Sequence, residues 1–212
     1  MHKNIRRDTA RHLLCGLLAG LASAAVHAQG ACGGFENNFG PFDYYAHPDK
    51  HSIVERFHFT PDVENLIRGS SNAHPGGDIA YTLRAFPNHP RALNAMARLS
   101  TKESRAQPQG STYTVDCWFE RGMRFRPKDA MVPMLYGLHL LRVNRTSEAL
   151  KYLESARNSG IQDANLHYNL GLAYVKLKRY DEAMTEARKA YAMGFPLPGL
   201  RNQLQRAGKW RD

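Results

Sequence analysis

The sequence predicts an all-α chain, an α-solenoid of stacked helical hairpins, and two observations carry that prediction. The first is a fixed period: Gly137 and Gly171, Ala149 and Ala183, and Ala156 and Ala190 are each 34 apart. The second is that each of these residues falls in an amphipathic stretch of helical length, the glycines in the first helix of a pair and the alanines in the second. Small side chains at matched points let two helix backbones approach closely. A helix pair that cannot bury its own apolar face must stack on copies of itself.

The N-terminus predicts export. Lys3, Arg6, Arg7 and Arg11 precede an apolar run from Leu13 to Ala25, and Ser23-Ala24-Ala25-Val26-His27-Ala28 supplies a small-x-small site. A basic region, a short hydrophobic region and such a site form a secretory leader, residues 1–28, cleaved after Ala28. The apolar run is too short to span a bilayer, so the expectation is a periplasmic protein without stable membrane insertion. The leader carries four Lys/Arg and one Asp, so its removal takes the net charge from +10 to +7.

Three cysteines become two when Cys15 leaves with the leader. Cys32 and Cys117 are then a candidate disulfide in an oxidising space, the alternative being two separate thiols. The bridge would tie the N-terminal arm to a helix in the middle of the chain. In the chain-entropy description a loop of that length stabilises by about 4–5 kcal/mol.

Residues 29–59 are expected to form an extended arm. Gly33-Gly34, Asn37-Asn38 and Gly40-Pro41 interrupt any helical period over 29–50, and Phe35, Phe39, Phe42, Tyr44 and Tyr45 predict that the arm packs on the helices. Thr60-Pro61-Asp62-Val63-Glu64 starts a helix, with proline in the first turn and acids against the helix dipole. A short helix is expected over Ile79 to Ala85, and another after Asn88-His89-Pro90 to about Leu99. A polar loop covers 101–111. Helices are predicted near 112–125, 130–142, 147–158, 164–177 and 180–193. Pro196-Leu197-Pro198-Gly199 leads into a last helix at 199–207, whose Leu200 and Leu204 mark a buried face, within a C-terminal cap of 197–212.

The residues at this period resemble the tetratricopeptide repeat family, whose pattern is W-x2-L-G-x2-Y, then A-x3-F, then P, at the same spacing. Leu170, Gly171, Tyr174, Ala183 and Ala190 match it over 164–196, with His167 in the tryptophan position, Ala187 in place of Phe, and the closing proline one residue late at Pro196. The unit 130–163 keeps Gly137, Ala149, Leu153 and Ala156, with Tyr136 and Leu140 at large positions. In 60–129, Phe119 and Pro127 fall in register and Gly122 replaces an alanine. The resemblance implies a right-handed solenoid of about three to four hairpins. It also implies a concave groove, lined by the first helix of each unit, that receives a protein or peptide partner.

Transferred by position, that groove would carry Met131, Met134, Leu138 and Leu141 from one unit and Asn165, Tyr168, Asn169, Leu172 and Lys176 from the next. Members of the family that clamp a terminal carboxylate use paired Lys and Asn on these faces. Here Tyr168 and Leu172 stand in two of those places. The methionines and leucines suit an amphipathic helix or an extended segment. The alternative is that the aromatic arm covers these residues and leaves no open groove.

The chain has no P-loop, GxSxG, HExxH or dinucleotide-binding glycine pattern. His47 and His51 have helical spacing, but Pro48 lies between them and no further ligand completes a metal site. His139 and His167 lie in predicted helices as packing residues with a polar tip. No nucleophile, base and orienting group come together, so neither enzyme activity nor a cofactor is expected. The basic residues near the end, Arg201, Arg206, Lys209 and Arg211, lack the interleaved aromatics of a nucleic-acid platform. The sequence therefore points to a non-catalytic adaptor or assembly factor of the cell envelope. The alternative is a binder of an anionic polymer or membrane surface.

Overall fold

Why the chain turns where it does is clearest between α6 (Met131–Arg142) and α7 (Thr146–Asn158) and between α8 (Ala164–Lys176) and α9 (Tyr180–Ala192). Asn144 and Lys178, 34 apart, both adopt left-handed backbone (φ 62 and 57) and end their helices. The next residues, Arg145 and Arg179, donate backbone N–H to Leu140 and Tyr174 carbonyls at 2.9 Å in both cases. Each arginine then pairs with the glutamate three residues on, Glu148 or Glu182. The same turn is thus built twice from the same parts.

The computed structural model describes residues 32–71 and 73–210, in which every regular element is helical. The predicted leader lies outside these residues. Before α6 come α1 (His51–His58), α2 (Pro61–Glu64), α3 (Gly76–Ala85), α4 (Pro90–Glu103) and α5 (Val115–Phe125); α10 (Gly199–Arg206) closes the chain. Local signals set the starts. Pro90 occupies the first turn of α4 behind a His89 cap; Thr114 Oγ1 accepts from Cys117 N at 3.2 Å, and Asp163 Oδ1 accepts from Leu166 N at 2.8 Å.

Two main cores meet at α6. Ile79, Leu83, Leu93, Met96, Trp118 and Phe119 form one, to which α6 contributes Val132, Tyr136 and Leu140. Leu153, Leu166, Leu170, Tyr174 and Leu200 form the other, to which α6 contributes Met134 and Leu138. Burial on both sides explains why α6 reads as an almost unbroken apolar run. The period-bearing glycines sit at the tightest contacts. A Cβ on Gly137 would lie 2.6 Å from Leu153 Cγ, and one on Gly171 would collide with Leu200 of α10.

The arm departs from the extended form expected for 29–59. Pro48–Lys50 forms a 3-10 turn that runs directly into α1, whose Val54 is buried against Ala85 and Phe86. The apolar residues Ile53, Val54 and Phe57 of α1 do keep a helical spacing, but the run is short and follows a Gly-, Asn- and Pro-rich stretch, and only Val54 is buried. Conversely, the helix expected from Thr60 is a single turn, because Leu66 swings into left-handed backbone (φ 59) just beyond it. The polar loop begins at Ser104 (φ 54) rather than 101, since α4 continues to Glu103.

Cys32 and Cys117 are bridged, with an S–S distance of 2.05 Å. Beside the bridge, Arg121 is buried and donates to the carbonyl oxygens of Cys32 (3.0 Å) and Gly34, while its guanidinium lies within 5.5 Å of the Phe35, Tyr113 and Trp118 ring centroids. Further along the arm, Phe42 N donates to Ala85 O at 2.8 Å. Gly40 makes that approach possible: it takes φ 95, and a Cβ there would lie 2.6 Å from Ala85 O. The buried Asn88 completes the seam, accepting from Tyr44 N and donating to Asp43 and Asp129 carboxylates at 3.0–3.1 Å.

Between α8 and α9, Glu186 is buried and receives His167 (2.5 Å), Lys189 (3.1 Å) and Arg157 (3.2 Å). Burial alone would raise its carboxyl, but the hydrogen bonds from His167 and Lys189 outweigh it and hold the group below the usual carboxylate range. Its contribution to stability is therefore present above the ordinary glutamate pKa and is lost as pH falls through the depressed folded value. Urea unfolding followed from pH 6 to pH 3 should show a falling midpoint, with a shallower fall in Glu186→Gln. Gly171→Leu should lower the unfolding free energy by about 1–3 kcal/mol or more through overpacking, read from the same titrations at pH 7. Reduction of the disulfide should lower it by about 4–5 kcal/mol.

Candidate partner-binding groove

Six of the residues expected in a groove come together. Leu138, Leu141, Asn165, Asn169, Leu172 and Lys176 line one cavity of about 300 Å³ between α6 and α8, and Arg142 joins them. Leu138 forms the buried floor, with Leu141 and Leu172 half-buried above it. Asn169 Nδ2 donates to the backbone and side-chain oxygens of Asn165, both at 2.8 Å, which fixes the two amides along the α8 wall.

The rim is basic. Lys176 Nζ donates to Asn144 Oδ1 at 3.3 Å, and Arg142 reaches Asn94 Oδ1 of α4 at 3.4 Å. Desolvation by the surrounding protein, and then the charge of Arg98, hold the Arg142 guanidinium below its usual range. Among the described residues no Asp or Glu lines this cavity. Arg142 is not among the residues expected on sequence grounds, although it stands 34 before Lys176, as Leu138 does before Leu172.

Three expected groove residues lie elsewhere. Tyr168 is 7% exposed, stacks on Phe195 at 4.2 Å and packs its hydroxyl end against Gly199, so it belongs to the core. The cause is the 195–200 segment, which folds back over α8 at Tyr168 and Gly171. Met134 is likewise buried in the core shared with Leu153 and Leu166. Met131 lines a separate depression with Tyr45, Arg126 and Ile161.

The aromatic arm does not cover the groove. Phe35 packs on Phe125 (5.5 Å), Phe42 on Phe86 (5.8 Å), and Tyr44 on His51 (4.1 Å) and His89 (4.3 Å), all on the N-terminal helices. The histidines considered as a metal pair go to different partners: His47 Nδ1 lies 3.2 Å from Asp43 O and His51 Nε2 lies 2.6 Å from Tyr44 O. At the C-terminus the fold supplies the aromatics that the linear order lacks, since Arg201 lies 4.8 Å from both the Tyr191 and Trp210 ring centroids.

No protein-family model matches the chain, and no curated protein matches it. Among the described residues no helix is long and apolar enough to cross a membrane.

Tyr168→Ala should destabilise the protein by about 3–5 kcal/mol, as large aromatic truncations in cores do. Leu172→Ala, at a half-buried position, should cost about 1 kcal/mol or less. Thermal unfolding of the two variants side by side distinguishes a core residue from a groove residue.

Proposed function

We propose that the protein is an exported adaptor or assembly factor of the bacterial envelope, a right-handed solenoid of tetratricopeptide-type hairpins that holds a protein partner in the α6–α8 groove. The observation that carries this reading is the groove itself: an uncovered apolar floor under a rim of Arg142 and Lys176. Such a surface suits a short extended or helical segment that presents apolar side chains with acidic residues beside them. The recurrence of the α6–α7 turn at α8–α9, one period on, supports the repeat assignment. The disulfide fits an oxidising compartment such as the periplasm.

The second reading, an anionic polymer or lipid surface as partner, draws on the basic C-terminal end. It ranks lower because Arg201 there already engages two rings. Salt separates the two: polyanion binding weakens steeply as ionic strength rises, whereas capture by an apolar groove with two rim cations weakens only modestly.

The test is a photo-crosslinking residue in place of Asn169 in the exported protein, in its own cells, with captured chains identified by mass spectrometry. One dominant envelope protein is the expected result, and its yield should drop at least tenfold in Leu172→Asp. Crosslinks confined to the protein's own residues 32–58 would overturn the adaptor reading.

A further inference from the structure

A second cavity, of about 450 Å³, shares no lining residue with the groove. It opens where four elements meet: the C-terminal ends of α4 and α6 and the starts of α5 and α7. Its volume is in the range of small-molecule sites, which combine apolar walls with a few convergent polar groups. Val115 and Val143 supply apolar wall, together with the ring of His139, which lies nearly parallel to Phe119 at 6.0 Å.

His139 is the first of two observations that point to a ligand. It is 3% exposed, and its Nδ1 is buried without a hydrogen-bond partner among the described residues. Burial holds the imidazole below its ordinary pKa, so at neutral pH it is uncharged and can both donate and accept. A buried polar atom left unpaired is a place where a ligand oxygen gains more than it loses on leaving water.

The second observation is the distribution of charge. Arg145 is fully engaged: one terminal nitrogen donates to Asp116 Oδ2 at 2.6 Å, and the other terminal nitrogen and Nε both reach the Glu148 carboxylate. Arg105, also in the wall, makes no side-chain hydrogen bond or ion pair among the described residues. One unpaired guanidinium calls for one negative charge. Asp116 in the same wall opposes a doubly charged group such as a phosphate monoester.

We propose that the cavity between the ends of α4, α5, α6 and α7 binds a small monocarboxylate with an apolar body, its carboxylate shared between Arg105 and the unpaired His139 Nδ1 and its body against Val115 and Val143. A body of roughly six to ten carbons suits a cavity of this volume. The site is independent of the groove, so a protein partner held at Leu172 and a carboxylate held at Arg105 can be bound together.

The experiment titrates the full exported chain with octanoate, and in parallel with octanol and octylamine, following heat of binding and the NMR signals of the His139 ring. Octanoate is expected to saturate, to shift the His139 signals, and to bind at least tenfold more tightly than octanol. Arg105→Gln should weaken octanoate about tenfold, which corresponds to about 1.4 kcal/mol. Ala106→Trp, at an exposed position on the cavity mouth, should block binding. Both variants keep the buried residues intact, and matched thermal unfolding curves confirm that they fold. Failure of octanoate to saturate at millimolar concentration overturns the proposal. So does octanol or octylamine binding as tightly as octanoate, or octanoate affinity that neither substitution changes.

Discussion

The arrangement depends most on how closely neighbouring helices can approach at Gly137 and Gly171. At each glycine the space a methyl group would take is filled by a leucine from another helix, Leu153 of α7 or Leu200 of α10. Those leucines are fully buried, and so are the alanines beside them, Ala149 and Ala183. Dispersion falls off so steeply with distance that a helix held slightly further out would forfeit much of this contact. The placement of α10 follows from the same constraint, and with it the path of 195–200 that covers Tyr168. The outline of the groove is thus set by a residue, Gly171, that does not line it.

In the other half of the molecule, polar groups join the apolar core in fixing the arm. Its seam contains a buried guanidinium, a buried amide and two buried imidazole or carboxylate pairs: Arg121, Asn88, His89 with Glu55, and Asp78 with His58. Each has its partners on a different segment, so each ties the arm or its following turns to α3, α4 or α5. Left unsatisfied, any of these groups would oppose burial. The arm is therefore specified by where it must bring its carbonyls and carboxylates, more than by its own preference for a conformation.

That contrast explains what can be read directly from the residues. The repeated spacing locates α6 to α9 closely, because small-residue contacts leave local marks, and Pro196-Leu197-Pro198-Gly199 with Leu200 and Leu204 marks α10. The disulfide follows from counting cysteines. By comparison, α1 is about two turns long and buries only Val54, so its Ile53, Val54 and Phe57 spacing is too brief to stand out from the arm before it. Tyr168 reads as a groove residue because its position within the unit says so; only the later, proline-rich 195–200 turn removes it to the core. The cavity at His139 draws its lining from stretches as far apart as Ser100 and Arg145, and no linear pattern spans them.

The Cys32–Cys117 bridge also divides the chain mechanically. It seals α1 to α4 and the start of α5 inside a covalent ring of 85-residue separation and leaves α6 to α10 outside it. Under tension between its ends, the ring withholds roughly 290 Å of extensible contour, at about 3.4 Å for each residue. Strain would reach first the helices that line the candidate groove, α6 and α8, while the sealed half keeps its shape.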